Sequence, residues 1–115
     1  MTFQEFKNRI KVTTPAKDCP ISRTLELLSG KWTSRVIYEL EKYDQIRFGE
    51  LKKNLNGITN TMLSNTLKNL EEKGIVIRTQ YNEIPPHVEY SLSDSGKAML
   101  SIYYEIGKWG ETYLS

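Results

Sequence analysis

The sequence predicts a mostly α-helical chain with one small β-hairpin, an α+β fold that forms a single domain over residues 1–115. Apolar residues recur every three or four positions along most of the chain, which is the period of helices with one buried face. After Gly74 the period changes to two, as in a strand, and it becomes helical again after Ser93. A length of 115 residues excludes large barrel and dinucleotide-binding folds.

Composition limits the function classes. Charged residues make up 26% and hydrophobic residues 38%, as in a globular rather than a disordered chain. The net charge of +2 decides nothing about a nucleic-acid partner, because the placement of charges matters more than their sum. One cysteine and one histidine cannot form a tetrahedral zinc site alone, so we expect no metal or cofactor. We expect a cytoplasmic protein, since no apolar run reaches the ~18 residues of a membrane span.

Three helical segments are predicted in the first 42 residues. One or two turns near the N-terminus are indicated by the spacing of Phe3, Phe6 and Ile10, and Pro15 ends them. Proline at the first position and glycine after the last place the next helix at residues 20–29, with Leu25 and Leu28 as its apolar stripe. Thr33 is the candidate cap of a helix over residues 33–42.

The middle of the chain predicts two helices joined by a tight turn, residues 49–73 in all. A short edge strand at residues 46–48 precedes a helix over 49–55, and the second helix covers 59–73. Leu63, Leu67 and Leu70 mark its buried face. The other face is polar and comprises Thr61, Ser64, Asn65, Lys68 and Glu72, with Thr59 as the cap and Asn60 at the entrance.

The period of two predicts a hairpin over residues 75–92 with a proline-containing tip. The polar residues on one face or near the tip are Arg78, Gln80, Asn82 and His87. Arg78 has two readings, as a phosphate contact or as the cross-strand partner of Glu89. His87 is read either as a DNA contact or as an ordinary polar loop residue.

This order of elements is that of a winged helix-turn-helix. In that fold the second helix of the pair enters the major groove of DNA, and the hairpin forms a wing beside it. We therefore expect DNA contacts from Thr59, Asn60, Thr61, Ser64, Asn65, Lys68, Arg78, Gln80, Asn82 and His87. The alternatives are that the polar face is merely solvated, or that the fold is a protein–protein interaction module without DNA binding.

Several strings of residues resemble those of HxlR-type transcriptional regulators. They are Cys19-Pro20, Gly30-Lys31-Trp32-Thr33, Arg47-Phe48-Gly49-Glu50-Leu51 and Pro85-Pro86-His87-Val88-Glu89-Tyr90. The resemblance covers about residues 19–109. It implies a bacterial or archaeal winged-helix regulator that binds double-stranded DNA as a homodimer. It also implies a candidate sensor of redox or electrophile stress at Cys19, because many members of such families respond to chemical stress through this cysteine.

The last predicted helix, residues 94–114, is a candidate dimerisation helix. Its apolar residues are spaced three, four, three and four, the spacing of helices that pack along their length. The predicted interface comprises Phe3, Phe6, Ile10, Met99, Ile102, Tyr103, Ile106, Trp109 and Tyr113. A single-chain reading stays open, in which this stripe packs only on its own domain.

The position of Cys19 in the sequence also suggests a reactive thiol, independently of the family resemblance. It precedes Pro20 and is therefore predicted at a helix N-terminus, where backbone N–H groups favour a thiolate. Lys17 adds positive charge and Asp18 opposes it. The alternative is a small packed residue that senses nothing. No nucleophile motif or phosphate-binding loop is complete in the sequence, so we expect no enzyme activity.

Overall fold

The computed structural model describes residues 1–12 and 19–114. The elements are α1 (Phe3–Val12), α2 (Pro20–Leu27), α3 (Thr33–Leu40), β1 (Ile46–Arg47), α4 (Phe48–Asn54), α5 (Asn60–Glu72), β2 (Val76–Tyr81), β3 (His87–Leu92), α6 (Asp94–Lys97) and α7 (Met99–Tyr113). The predicted mostly helical fold with a small antiparallel sheet is confirmed. The predicted helix stop at Pro15 lies outside the described residues. None of the described helices is long and apolar enough to span a membrane.

The sheet has three antiparallel strands in the order β1-β3-β2. Arg78 lies opposite Tyr90, and Glu89 lies opposite Thr79. Successive residues of a strand point to opposite faces, so Arg78 and Glu89 project from different sides of the sheet. The alternative interpretation of Arg78, as the cross-strand partner of Glu89, is therefore wrong.

The core is one cluster of buried apolar residues from α3, α4, α5, the sheet and the start of α7. The predicted buried face of α5 is confirmed, since Leu63, Leu67 and Leu70 are at most 1% exposed. In α3, Val36 and Ile37 are fully buried against it. This packing fixes which side of α5 turns away from the protein.

Two predictions about the early helices are wrong. Leu25 is 65% exposed, and it is Leu27 and Leu28 that pack against the core. Only the C-terminal end of α2 packs against the core, so an apolar residue earlier in the helix, such as Leu25, stays exposed. Thr33 does not cap α3, because the N-cap is Trp32, whose side chain makes no capping hydrogen bond.

The single helix predicted for residues 94–114 is divided at Ala98 into α6 and α7. Ser93 caps α6, and its Oγ accepts a hydrogen bond from the Gly96 amide. Gly96 lies against the hairpin, where a Cβ would come within 2.6 Å of the Ile75 carbonyl oxygen. The short α6 is therefore held against the hairpin, and helical bonding starts again with α7.

Candidate nucleic-acid interface

The turn between α4 and α5 sets the direction of the second helix. Gly57 adopts φ +93°, a conformation that L side chains rarely take. Leu55 and Ile58 flank it and are both buried, so the turn is anchored on either side. Thr59 then caps α5 as predicted, its Oγ accepting a hydrogen bond from the Met62 amide at 3.1 Å. Its hydroxyl is thus engaged in positioning the helix.

The polar face of α5 is open to solvent. Its exposed members are Asn60, Thr61, Ser64, Asn65 and Lys68, which all lie away from the leucine face. Glu72 is exposed as well, at the C-terminal end of the helix. Hydroxyl, amide and ammonium groups of this kind read base edges and hold phosphates.

The wing is the β2–β3 hairpin. Arg78, Gln80 and Asn82 are exposed, and Arg78 makes no ion pair within the part of the chain that the structure describes. The Arg78 guanidinium is therefore available to a phosphate. At the tip, Ile84 is fully exposed, an unusual place for a large apolar side chain.

His87 differs from the other predicted wing residues. It pairs with Tyr81 across the hairpin, on the face of the sheet opposite Arg78 and Gln80. Its ring stacks on Tyr81, its Nε2 lies 2.9 Å from Glu89 Oε2, and its side chain is only 15% exposed. The structure thus gives His87 contacts inside the wing.

The predicted dimer residues differ in burial and divide into three groups. Met99 is 8% exposed and Tyr103 is half-buried, so these two pack on their own domain. Periodicity could not separate them from the rest, because a core stripe and a dimer seam share the same spacing. Phe6 is half-buried, and its ring lies tilted against that of Phe3, with 6.5 Å between centroids. The exposed members are Phe3, Ile10, Ile102, Ile106, Trp109 and Tyr113.

An open groove lies between α3 and α7, and the sequence did not indicate it. Its lining includes Tyr38, Tyr103 and Tyr104, and Tyr38 meets Tyr103 edge to face. The Tyr103 hydroxyl and Glu41 Oε2 are shielded from solvent and have no hydrogen-bond partner among the described residues. Burial raises the pKa of Glu41. Burial also raises the pKa of Tyr103; the Ser34 side chain acts against this shift and the Glu41 carboxylate adds to it.

Met62 was missed as well, although it is exposed at the first turns of α5 beside the polar face. Its position around the helix is the signal that distinguishes Met62 from the buried leucines. On that helix Met62 lies at the border of the leucine face. An exposed methionine there can contact the methyl group of a thymine.

Cys19 occupies the N-cap of α2 with Pro20 in the first turn, as predicted. It is half-buried, its thiol is not in a disulfide, and its side chain makes no capping hydrogen bond. Lys17 and Asp18, the charged neighbours considered above, lie outside the described residues. Among the residues described, no group of three His, Cys, Asp or Glu side chains could hold a metal ion.

The α4–turn–α5 unit with its hairpin defines a winged helix-turn-helix protein. The profile of the family described as HxlR-like helix-turn-helix matches residues 27–115. An uncharacterised HTH-type transcriptional regulator of Halalkalibacterium halodurans is 42% identical over 96% of this chain and 95% of its own length. The chain therefore belongs to the HxlR-like helix-turn-helix family, whose members are transcriptional regulators and not enzymes.

Solved structures agree with this assignment. A chain from Porphyromonas gingivalis W83, assigned to the MarR family of transcriptional regulators, has a TM-score of 0.80 and 39% identity. The match covers 88% of this chain and 98% of that one. The redox regulator HypR in its oxidised form has a TM-score of 0.72 and 37% identity, covering 82% of this chain and 96% of that one. This protein shares its fold with both.

Proposed function

We propose that this protein regulates transcription by binding an inverted-repeat DNA operator as a homodimer. One observation carries the proposal: the exposed polar face of α5 lies on a helix whose other face is locked into the core. With 13 residues, α5 is about 20 Å long, and the major groove is wide enough to accept it. Family membership supports the same function.

The side chains divide into two roles. Asn65 and Ser64 face outward near the middle of α5, where the helix would lie deepest in the groove, and an amide can bond adenine through two hydrogen bonds. Lys68 and Arg78 are suited to phosphates, which supply affinity without sequence information. His87 acts indirectly, because its ring is engaged within the wing. The Thr59 hydroxyl accepts the capping bond and can still donate its O–H to a phosphate.

The homodimer is supported by the apolar surface of α7. Ile106 and Trp109 are 56% and 57% exposed, and Ile102 and Tyr113 lie on the same side of the helix. Contiguous exposed apolar side chains mark interaction sites more often than they mark solvent surface. A second copy of the chain would cover them and would present a second α5, and such a pair would fit a two-fold symmetric operator.

Salt dependence tests DNA binding against the alternative of a protein-interaction module. Affinity for duplex DNA should fall steeply with salt, because each neutralised phosphate releases counterions. Lys68→Ala and Arg78→Ala should each flatten the slope by about one contact per chain. Lys108→Ala is the matched control, since Lys108 lies on α7 beside Glu105, and it should leave the slope unchanged. An absence of salt-dependent binding to any duplex would contradict the proposal.

Redox sensing at Cys19 is a second candidate function, favoured by the likeness to the redox regulator HypR and by the position of Cys19 at a helix N-cap. Two Cys19 thiols that form a disulfide between subunits would lose two electrons and two protons to an oxidant such as diamide. Operator binding should change in diamide-treated wild type, recover with reductant, and stay constant in Cys19→Ser. Equal behaviour of both proteins would count against a sensor.

A further inference from the structure

The end of the wing is an exposed apolar segment. Residues 82–86 join β2 to β3, and all of them are exposed. Ile84 is fully exposed, more so than any other large apolar side chain in the described part of the chain. Two exposed prolines, Pro85 and Pro86, follow it. Turns are mostly built from glycine, proline, asparagine, aspartate and serine, so an isoleucine at this place needs an explanation. We call Ile84, Pro85 and Pro86 the apolar tip.

The apolar tip is separate from the apolar surface that a dimer would cover. Leaving out Met1 and Leu114 at the ends of the described chain, the large apolar side chains that are more than half exposed lie on α1, α2, α3 and α7, with Ile84 as the exception. The proposed dimer surface is formed by α1 and α7. Neither the core nor that surface therefore accounts for Ile84.

The tip projects from a restrained base. Tyr81 and His87 are the last paired residues before it, and their rings stack with 4.8 Å between centroids. The Tyr81 hydroxyl donates a hydrogen bond to Gln45 Oε1 at 2.8 Å, which ties this end of the hairpin to the residue before β1. Proline fixes its own φ, so Pro85 and Pro86 stiffen the segment beyond this point. A stiff segment loses little conformational entropy when it binds.

The residues that lead to the tip suit a nucleic-acid surface. Arg78 and Gln80 lie exposed on one face of β2, and Asn82 follows them at the start of the tip. At ~3.3 Å per residue, the strand continues about 10 Å past Arg78 before the tip begins. Each DNA backbone separates the major groove from the minor groove. A hairpin that contacts the backbone through Arg78 and continues across it would therefore bring its tip to the minor groove.

The minor groove is a suitable environment for an apolar tip. It is only ~6 Å wide in B-DNA, so a single side chain can fill it. Isoleucine and proline are among the residues that proteins insert from this groove between base steps, which unstacks the step and bends the duplex. Removing an exposed isoleucine from water also favours binding. Glu83, the charged residue of the segment, has its Oε2 3.7 Å from His87 Nδ1, so its carboxylate lies back along the hairpin.

We propose that Ile84 is a minor-groove wedge, which opens one base step beside each half-site and bends the operator. The inference rests on the proposed DNA-binding function. Two chains would insert two wedges, at positions related by the symmetry of the operator. Pyrimidine–purine steps are the easiest to kink, so they would be favoured under the wedge. The wing would then contribute to sequence specificity without hydrogen bonds to bases.

The test measures affinity and bending on a dye-labelled duplex recovered from random sequences by selection with the wild type. Energy transfer between the two ends reports the bend, which should be at least ~20° in wild type. Ile84→Ser should bind ~5- to 50-fold more weakly and leave the duplex straighter. Its salt slope should stay unchanged, because the substitution removes no charge. Ile84→Leu keeps an apolar wedge and should bind and bend like wild type.

Ile77→Ser is the matched control. Ile77 is 46% exposed on the same hairpin, but on the face opposite Arg78 and far from the tip. The variant should bind and bend like wild type, and thermal melting checks that each variant is folded. An equal loss of affinity in Ile77→Ser and Ile84→Ser would overturn the proposal, since it would show a weakened hairpin instead of a contact at the tip.

The remaining outcomes separate this inference from the proposed function. If duplex DNA is bound with the expected salt dependence but Ile84→Ser matches wild type in affinity and bend, the wedge is overturned and the function stands. The tip would then be left for a protein partner. A straight duplex in the wild-type complex, or a loss of affinity in Ile84→Ser without a change in bend, also overturns the wedge alone. If no duplex is bound, the proposed function fails and the wedge fails with it.

Discussion

α5 and α7 have apolar stripes of similar period but opposite surroundings. In α5 the stripe is buried in the protein's own core, with Leu67 at 1% exposure, and the polar face is outside. In α7 only Met99 and Tyr103 reach that core, while Ile106 and Trp109 stay exposed. The apolar stripe of α5 is thus covered within one chain and its polar face is exposed, whereas much of the apolar stripe of α7 is left uncovered by its own chain, as the proposed dimer requires.

The largest expected effect comes from the buried leucine stripe of α5. Leu67→Ala should lower the free energy of unfolding by about 2–5 kcal/mol, because it leaves a cavity in a close-packed core. Urea denaturation measures this loss, which should be similar at all protein concentrations. Ile106→Ala is the counterpart on α7, and its cost should instead depend on protein concentration, since in the proposed dimer Ile106 contacts the second chain. If both variants lost the same amount of unfolding free energy at every protein concentration, the proposed difference between α5 and α7 would be contradicted.

The second prediction tests the exposed apolar surface of α7 as a dimer interface. Replacing Ile106 and Trp109 together by glutamate should weaken dimerisation at least ~100-fold, because two charges would be buried at the centre of an apolar contact. Sedimentation equilibrium at micromolar concentration measures it. The control replaces Ser101 and Thr112 by glutamate, two residues on the face of α7 that points away from the core. It adds the same charge and should leave the dimer intact; a monomeric wild type would contradict the prediction.

The third prediction concerns the polar face of α5. Asn65→Ala should cost roughly 1–3 kcal/mol of operator binding and relax specificity at one base position. Asn69→Ala, one turn closer to the C-terminus where the helix leaves the groove, is the matched control and should cost less. Competition binding with single-base operator variants measures both. Unchanged affinity in both Asn65→Ala and Ser64→Ala would show that this face was wrongly assigned.

The smallest effect concerns Glu41, near the groove beside α7. Burial raises the pKa of Glu41 above its ordinary value of 4.5, so the folded state binds more protons there than the unfolded state. Stability contributed by the protonated form is therefore lost as pH rises from about 4.5 through the folded pKa. Glu41→Gln should melt about 1–2 °C higher than wild type at neutral pH and show no advantage near pH 4. A larger advantage at low pH would contradict this.

The sequence was a good guide where the relevant contacts are local. The leucine face, the Thr59 cap and the Gly57 turn depend on residues a few positions apart, and all are found in the structure. The polar face of α5 could be predicted at the same time, because it is the side of the helix opposite the leucine face. The period change after Gly74 likewise marked the hairpin.

The predictions that the structure corrects depend on contacts between residues that are far apart in the sequence. Periodicity shows that Met99 is buried but not by which chain, so it was placed in the dimer seam instead of the core. The hairpin register decides that Arg78 faces Tyr90, and the tie from Tyr81 to Gln45 crosses 36 positions. No local pattern encodes such pairs. The contacts that His87 makes with Tyr81 and Glu89 are therefore visible only in the folded chain.

The central claim is that two copies of this chain present two α5 helices to symmetric DNA. Selection of bound sequences from random duplex DNA tests it most directly. We expect enrichment of an inverted repeat whose half-site centres lie about one helical turn, ~10 base pairs, or a small multiple apart. Enrichment of a single asymmetric site, or no enrichment at all with folded protein at low salt, would contradict the account.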